Sequence, residues 1–288
     1  MVWFFLTLVT ALTQAVKDTF LKRALRGIDP ALVMFAYCVA ASVFLWSFAA
    51  ASPAPRIADA FWPFLLIGGV LGGVTYWIYG RALAAGDLSL TLPMLAFTPL
   101  FMLVTSPLTV GEFPGPAGLG GILLVVAGAY VLNLRERRRG LLGPVRALLT
   151  NKGSRLMLLV ALIWSVGANF DKLGLTASSP AVWGAAVYTA TALALFPGVA
   201  AGIPNIRRQL ARAPLALVTA GFLEAVGLFC QMQALPMTQV SYVIAVKRLS
   251  IVFGVLLGAM VFREPDLSQR LPGALLMVVG VFFIAVFG

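Results

Sequence analysis

The chain has 288 residues, 61% hydrophobic and 11% charged, with a net charge of +11 and a mean hydropathy of +0.98. So little polar surface cannot cover a water-soluble body of this size, which excludes a soluble globular domain and points to a polytopic membrane protein. Histidine is absent and both cysteines, Cys38 and Cys230, lie in apolar runs, so a Cys/His metal site and a Ser-His-Asp triad are excluded.

Crossing the hydrocarbon core takes about 20 apolar residues. The pattern predicts ten spans, at about 2–21, 31–51, 62–84, 88–108, 116–134, 155–175, 180–201, 214–235, 238–262 and 271–287. They are punctuated by breaks such as Asp29-Pro30, Ser52-Pro53-Ala54-Pro55, Gly86-Asp87, Gly115-Pro116, Ser179-Pro180, Pro236 and Glu264-Pro265. Ten spans and short connections use up the chain and leave no soluble domain. One substantial loop, 135–154, carries Arg135, Arg137, Arg138, Arg139, Arg146 and Lys152, and its weakly amphipathic stretch from Leu141 to Leu149 suits a membrane surface.

The cations set an orientation, and membrane topology accounts for the basic balance better than nucleic acid does. Sixteen of the twenty-one lie in or beside the loops after spans 1, 3, 5, 7 and 9: Lys22, Arg23, Arg26, Arg81, the six of the central loop, Arg155, Arg207, Arg208, Arg212, Arg263 and Arg270. The opposite loops hold only Arg56 and Lys172, and the remaining three, Lys17, Lys247 and Arg248, fall inside spans. The expectation is an inner (plasma) membrane protein with the odd loops in the cytoplasm and both termini outside. Met1-Val2-Trp3 has no basic run, so no cleaved signal peptide is expected.

The chain also matches itself. Residues 81–134 align without a gap on 233–286, pairing Glu112 with Glu264, Gly121 with Gly273, Leu123-Leu124 with Leu275-Leu276 and Gly128 with Gly280. In the first span of each half, Thr10, Gln14 and Lys17 match Ser165, Asn169 and Lys172. The spacing i, i+4, i+7 puts each triplet on one helix face. Five spans per half force the second half to enter the membrane inverted, the signature of alternating-access carriers. The expected organisation is therefore a first repeat (1–134), a basic linker (135–154) and a second repeat (155–288).

Ionisable groups at membrane depth are expensive and normally face a cavity or a partner. The deepest acid is Glu224 in span 8, with Gln231 seven residues on; Lys247 or Arg248 of span 9 is its expected cationic partner. Glu224 is thereby the candidate for proton coupling or for holding a substrate ammonium, against the plainer reading of a structural ion pair. Lys17 and Lys172 can equally snorkel to opposite interfaces, with Asp18 and Asp171 as local counter-ions. Pro93, Pro99 and Pro107 can free span 4 carbonyls for a cavity or only bend it. Spans 2, 5, 7 and 10 are expected to serve packing, and the glycine-rich spans 5 and 10 can pack within one chain or between two copies as a homodimer. The expected substrate-binding set is Gln14, Lys17, Tyr76, Trp77, Trp164, Asn169, Asp171, Lys172, Gln231, Tyr242 and Lys247, with Phe229 as a further apolar wall.

Several strings resemble the drug/metabolite transporter superfamily, EamA type: Leu92-Pro93-Met94 to Pro99-Leu100-Phe101, Gly111-Glu112, the run 120–128, Val246-Lys247-Arg248-Leu249-Ser250 and Phe262-Arg263-Glu264. The resemblance implies an all-α integral membrane fold of ten helices, as two inverted five-helix repeats around a central cavity lined by spans 1, 3, 4, 6, 8 and 9. It also implies small substrates such as amino acids, other metabolites, nucleotide-sugars or drugs, with export the common bacterial theme. The small multidrug branch couples to protons through a carboxylate in its first span; here the matching stripe holds Thr10, Gln14 and Lys17, so that role is not carried over. Many relatives keep both termini in the cytoplasm, the reverse of what the cations here predict. No Walker A motif is present to couple ATP, no cofactor is expected, and the acids are not gathered at one interface as an enzyme would need. A transporter of a small polar or amphipathic metabolite is the leading expectation, and a carrier of a lipid-linked or phosphorylated substrate the alternative.

Overall fold

The computed structural model describes residues 1–86, 91–132, 151–262 and 267–288. Among them the secondary structure is helical throughout: α1 (Val2–Ala24), α2 (Pro30–Ala50), α3 (Phe61–Ala85), α4 (Thr98–Thr109), α5 (Pro116–Leu132), α6 (Lys152–Thr176), α7 (Pro180–Ala200), α8 (Pro214–Ala234), α9 (Val240–Lys247), α10 (Leu249–Phe262) and α11 (Leu267–Phe287), plus a five-residue surface helix, Ile206–Leu210. Eight of the described segments are long and apolar enough to cross a membrane, and Pro116–Val131 and Leu271–Phe287 are shorter apolar helices. The protein is thus a multi-pass membrane protein. Asp87, Ser89, the loop arginines Arg135 to Arg146, the stretch Leu141 to Leu149, Arg263 and Glu264 lie outside the described residues.

Helix starts follow local chemistry. Asp29 accepts from Ala31 N at 2.8 Å and Pro30 opens α2; Ser179 accepts from Val182 N and Pro180 opens α7; Asn151 caps α6 through Ser154 N at 3.2 Å. Span 4 is broken where its prolines dictate. Leu92–Phe97 is a 3-10 turn, and Pro99 fits the first turn of α4, where a missing N–H costs nothing. Span 9 is broken too, at Arg248, with neither Pro nor Gly at the break; the Arg248 N–H bonds to Ala245 O, tightening the turn.

Loop contacts sort the connections onto two faces. On one, Lys22 Nζ donates to Leu83 O and Gly86 O (both 2.7 Å), and Arg212 Nη1 donates to Gly27 O at 2.5 Å. These join the α1–α2, α3–α4 and α7–α8 connections, with the start of α6 beside the end of α3. On the other, Ala58 N bonds to Ala177 O at 3.0 Å, and Gln239 Nε2 bonds to Phe113 O at 3.3 Å.

Small residues let the helices approach. A Cβ on Gly69 would lie 2.6 Å from Ala190 Cβ, and one on Gly221 would lie 2.5 Å from Ala40 Cβ. Helices α5 and α11 pack antiparallel: a Cβ on Gly121 would come within 2.7 Å of Gly280 O, and one on Gly128 within 2.7 Å of Gly273 O. Such close approach is the main attractive device between helices in lipid, where apolar side chains gain little by leaving the hydrocarbon. The glycine faces of α5 and α11 meet within one chain.

Gly128→Val should destabilise the purified protein by about 1–3 kcal/mol, because the new side chain meets the Met277 backbone nitrogen. Gly120→Ala, with open space around it, should stay within about 0.5 kcal/mol of wild type. Thermal melts in detergent check both; equal melts would contradict the packing described.

Candidate functional site

A carboxylate and an ammonium meet deep between α1 and α8. Lys17 Nζ donates to Glu224 Oε2 at 2.6 Å, with Lys17 1% and Glu224 6% exposed. Lys17 also donates to Gln14 Oε1 at 3.1 Å and to the Tyr37 hydroxyl of α2 at 3.4 Å, and lies 3.9 Å from Asp18 Oδ1. Its ammonium sits 5.5 Å from the Tyr37 ring centre, where the π face adds attraction. Asp18 is satisfied by Gln14 Nε2 (3.0 and 3.1 Å) and by the Tyr79 hydroxyl at 2.7 Å. The second Glu224 oxygen accepts from Tyr188 of α7, whose own hydroxyl oxygen meets Tyr76 of α3. With the Tyr188 proton committed to Glu224, Tyr76 is the donor in that pair. Five helices therefore converge on one buried cluster.

Three sequence expectations are corrected here. The cationic partner of Glu224 is Lys17, not Lys247 or Arg248, because α1 packs along α8 while α9 lies across the cavity. Lys17 does not snorkel; a buried carboxylate one helix away holds it at depth. Helices α2 and α7 are more than packing elements, since Tyr37 and Tyr188 donate and accept within the cluster. Each is a tyrosine in an otherwise apolar span, and a buried hydroxyl needs a partner; that is the signal the sequence offers.

Beside the cluster lies a cavity of about 90 Å³, room for several waters or the charged end of a small solute. Gln14, Tyr76, Trp164, Asp171, Glu224, Gln231 and Lys247 line it, all expected from the sequence. So do Arg248, Thr75, Thr98, Tyr188 and Thr191, and the lining therefore includes α7 as well as the helices named above. Lys247 Nζ donates to Gln231 Oε1 at 2.7 Å, and Asp171 Oδ1 accepts from Trp183 Nε1 at 3.0 Å. The walls are apolar: Leu71, Ile163, Trp164, Val187, Leu228 and Ile244.

The other expected residues lie elsewhere. Trp77 is 44% exposed and carries the Arg81 guanidinium 3.4 Å over its ring, because one step along α3 turns it about 100° from Tyr76. Phe229 packs on Phe48 instead of walling the cavity. Asn169 is fully buried against α4, accepting from Ser106 Oγ at 2.9 Å and donating to Thr105 Oγ1 at 3.3 Å. The Tyr242 hydroxyl accepts from Gly115 N at 3.3 Å. Lys172 pairs with Glu112, not with Asp171, and donates to Thr238 O at 2.8 Å; Glu112 in turn accepts from Val240 N at 2.9 Å. Sequence reasoning misses Glu112 as a partner because nothing in the sequence brings the α4–α5 loop to the end of α6.

Among the described residues no cluster of acids and cysteines is arranged to hold a metal. Fold and site together define a multi-pass helical membrane protein with a charged cavity at its centre. The sequence profile of the EamA-like transporter family matches residues 1–134 and 151–286, and the chain belongs to that family, consistent with the drug/metabolite transporter superfamily. Among solved structures, a crystal structure titled only as that of a protein superposes with a TM-score of 0.74 at 18% identity, covering 99% of this chain and 96% of that one. That likeness is one of fold. None of the functionally curated proteins compared matches the chain.

Lys17→Met should cost about 3–5 kcal/mol, because it leaves two buried carboxylates without their cation. Adding Glu224→Met should recover part of that loss. Melting of the single and double variants checks it; a double variant as unstable as the sum of its parts would contradict the pairing.

Proposed function

We propose that the protein is a secondary or facilitative transporter that carries a small polar or amphipathic metabolite, amino-acid-like or anionic, by alternating access, outward across the cell's inner (plasma) membrane. The observation that carries this is the cavity, where buried Glu224, Gln14 and Gln231 and the cations Lys247 and Arg248 converge between apolar walls. Charged groups at that depth are a functional site by default in a membrane protein. A soluble-side enzyme would gain nothing from them.

In this reading the chain holds ten spans, span 9 being α9 with α10, as two inverted repeats joined by the basic linker. Support comes from exchange-related contacts. Gly69 meets Ala190 as Gly221, 152 residues on, meets Ala40, and Gly121 meets Gly280 as Gly273 meets Gly128. Antiparallel pairing of equivalent helices is what a two-fold axis in the membrane plane produces. The two-faced sorting of loops supports the orientation in which the basic loops are cytoplasmic and both termini outside.

Glu224 is our candidate for coupling. Its ammonium partner can be exchanged for a proton or for a substrate ammonium, with Tyr188 and Tyr76 following the carboxylate. Lys17 serves as the internal counter-charge that keeps the empty cavity neutral at this point. Asp171, Gln231 and Lys247 contact the solute, with Trp164 as an apolar wall.

Cells preloaded with a labelled amino-acid mixture should lose a subset faster when they express the wild type, and at least tenfold less fast with Glu224→Gln. Equal loss from vector, wild type and variant, with the protein present in the membrane, would overturn the amino-acid reading and move the test to phosphorylated and lipid-linked solutes. Independently, a C-terminal alkaline phosphatase fusion should be active and a fluorescent protein fusion dark; a bright fluorescent fusion would overturn the orientation.

A further inference from the structure

Arg248 is a cavity-lining cation that makes no hydrogen bond and no close ion pair among the described residues, with Asp18 and Tyr79 acting on it only at longer range. It is 2% exposed, its Nε is buried without a hydrogen bond, and no described carboxylate lies within 4 Å of its guanidinium. Its neighbour Lys247 also has no described carboxylate within 4 Å; its ammonium is held by the neutral Gln231 amide. The carboxylates that could have served are occupied elsewhere. Glu224 takes Lys17 and Tyr188, Asp18 takes Gln14 and Tyr79, and Asp171 takes the Trp183 N–H. Two adjacent cations at the break between α9 and α10 thus face the cavity with no carboxylate in direct contact, the nearest acids, Glu224, Asp171 and Asp18, acting at longer range. A buried charge without a partner is costly, and proteins keep one where a ligand completes it.

We propose that Lys247 and Arg248 form an anion subsite, which takes a carboxylate or phosphate group of the solute at the α9–α10 end of the cavity. The assignment rests on the transporter reading for its role and on these contacts for its place. The guanidinium presents a planar fork to two oxygens while the ammonium supplies a point charge, the combination suited to a bidentate oxyanion. The apolar part of the wall, Leu228 and Ile244 included, offers no acceptor, so a solute lacking the anion would leave both cations to whatever water the cavity holds. Glu224 then plays no part in anchoring this end, and discrimination falls on Arg248.

The test is binding by the purified full chain in detergent, separate from transport. Calorimetry is run with inorganic phosphate, succinate, L-leucine and L-leucinamide on wild type, Arg248→Gln and Arg248→Lys. At least one anion should bind wild type, L-leucinamide at least tenfold more weakly than L-leucine if the carboxylate is the ligand, and Arg248→Gln should lose at least tenfold for the bound anion. Arg248→Lys should fall between them, which also shows that the position tolerates change. Phosphate binding without carboxylate binding assigns the subsite to phosphorylated solutes; the converse assigns it to carboxylates. The inference is overturned if no anion binds wild type, if Arg248→Gln binds as tightly as wild type, or if L-leucinamide binds as well as L-leucine while phosphate and succinate do not bind. Anion binding retained alongside failed efflux would instead count against the transport reading alone.

Discussion

Burying the Lys17 ammonium at membrane depth is the constraint on which the rest of the structure turns. Such a charge is tolerated only beside an opposite one and with its remaining protons satisfied. Glu224, Gln14 and Tyr37 meet that requirement from three helices, and Tyr188, Tyr76 and Tyr79 complete it from two more. Every helix of the cluster is thereby held in register by polar contacts that hydrocarbon cannot replace. The cavity exists because these helices are fixed around the charges instead of closing against one another.

The small residues provide the complementary half of the design. Gly69, Gly121, Gly128, Gly221 and Gly280 bring backbones to distances no side chain would allow. Apolar contacts gain little in lipid, so shape and close approach carry the association. Seams of this kind can slide or rock without exposing polar groups, whereas the ion pairs cannot break without a replacement. A transporter needs both properties: rigid seams as bearings and charged contacts that a ligand can exchange. The Lys172–Glu112 pair at one face, with Thr238 O and Val240 N attached, is a second contact of the charged kind.

Much of the fold is legible in the sequence. The bounds of most helices follow from proline, Asp29, Ser179 and the apolar run lengths, and the internal match places corresponding glycines at corresponding seams. Span 9 reads as one helix because neither proline nor glycine marks Arg248, and the break is set by its tertiary surroundings. Glu224, Gln231, Lys247 and Asp171 are legible as cavity residues because a polar or charged side chain inside a span must face either a cavity or a partner. The pairing is not legible. Periodicity assigns a face to Lys17 but not the neighbour that face meets, and Trp77 shares its segment with Tyr76 while pointing elsewhere. Tyr37 and Tyr188 escape a reading based on charge because a phenol carries none, although its buried hydroxyl makes the same demand on its surroundings.

On the proposed alternating-access reading, the cavity should be reached from each side of the membrane in turn. Gly167 lines that cavity with nothing within 4 Å of an added Cβ, so a cysteine fits there without disturbing its neighbours. In a variant with Cys38 and Cys230 replaced by serine, Gly167→Cys should react with a membrane-impermeant thiol reagent from either face of oriented vesicles. Solute should shift the balance between the two faces. Reaction from one face only, whatever the solute or the pH, would contradict alternating access and leave the cavity a one-sided vestibule.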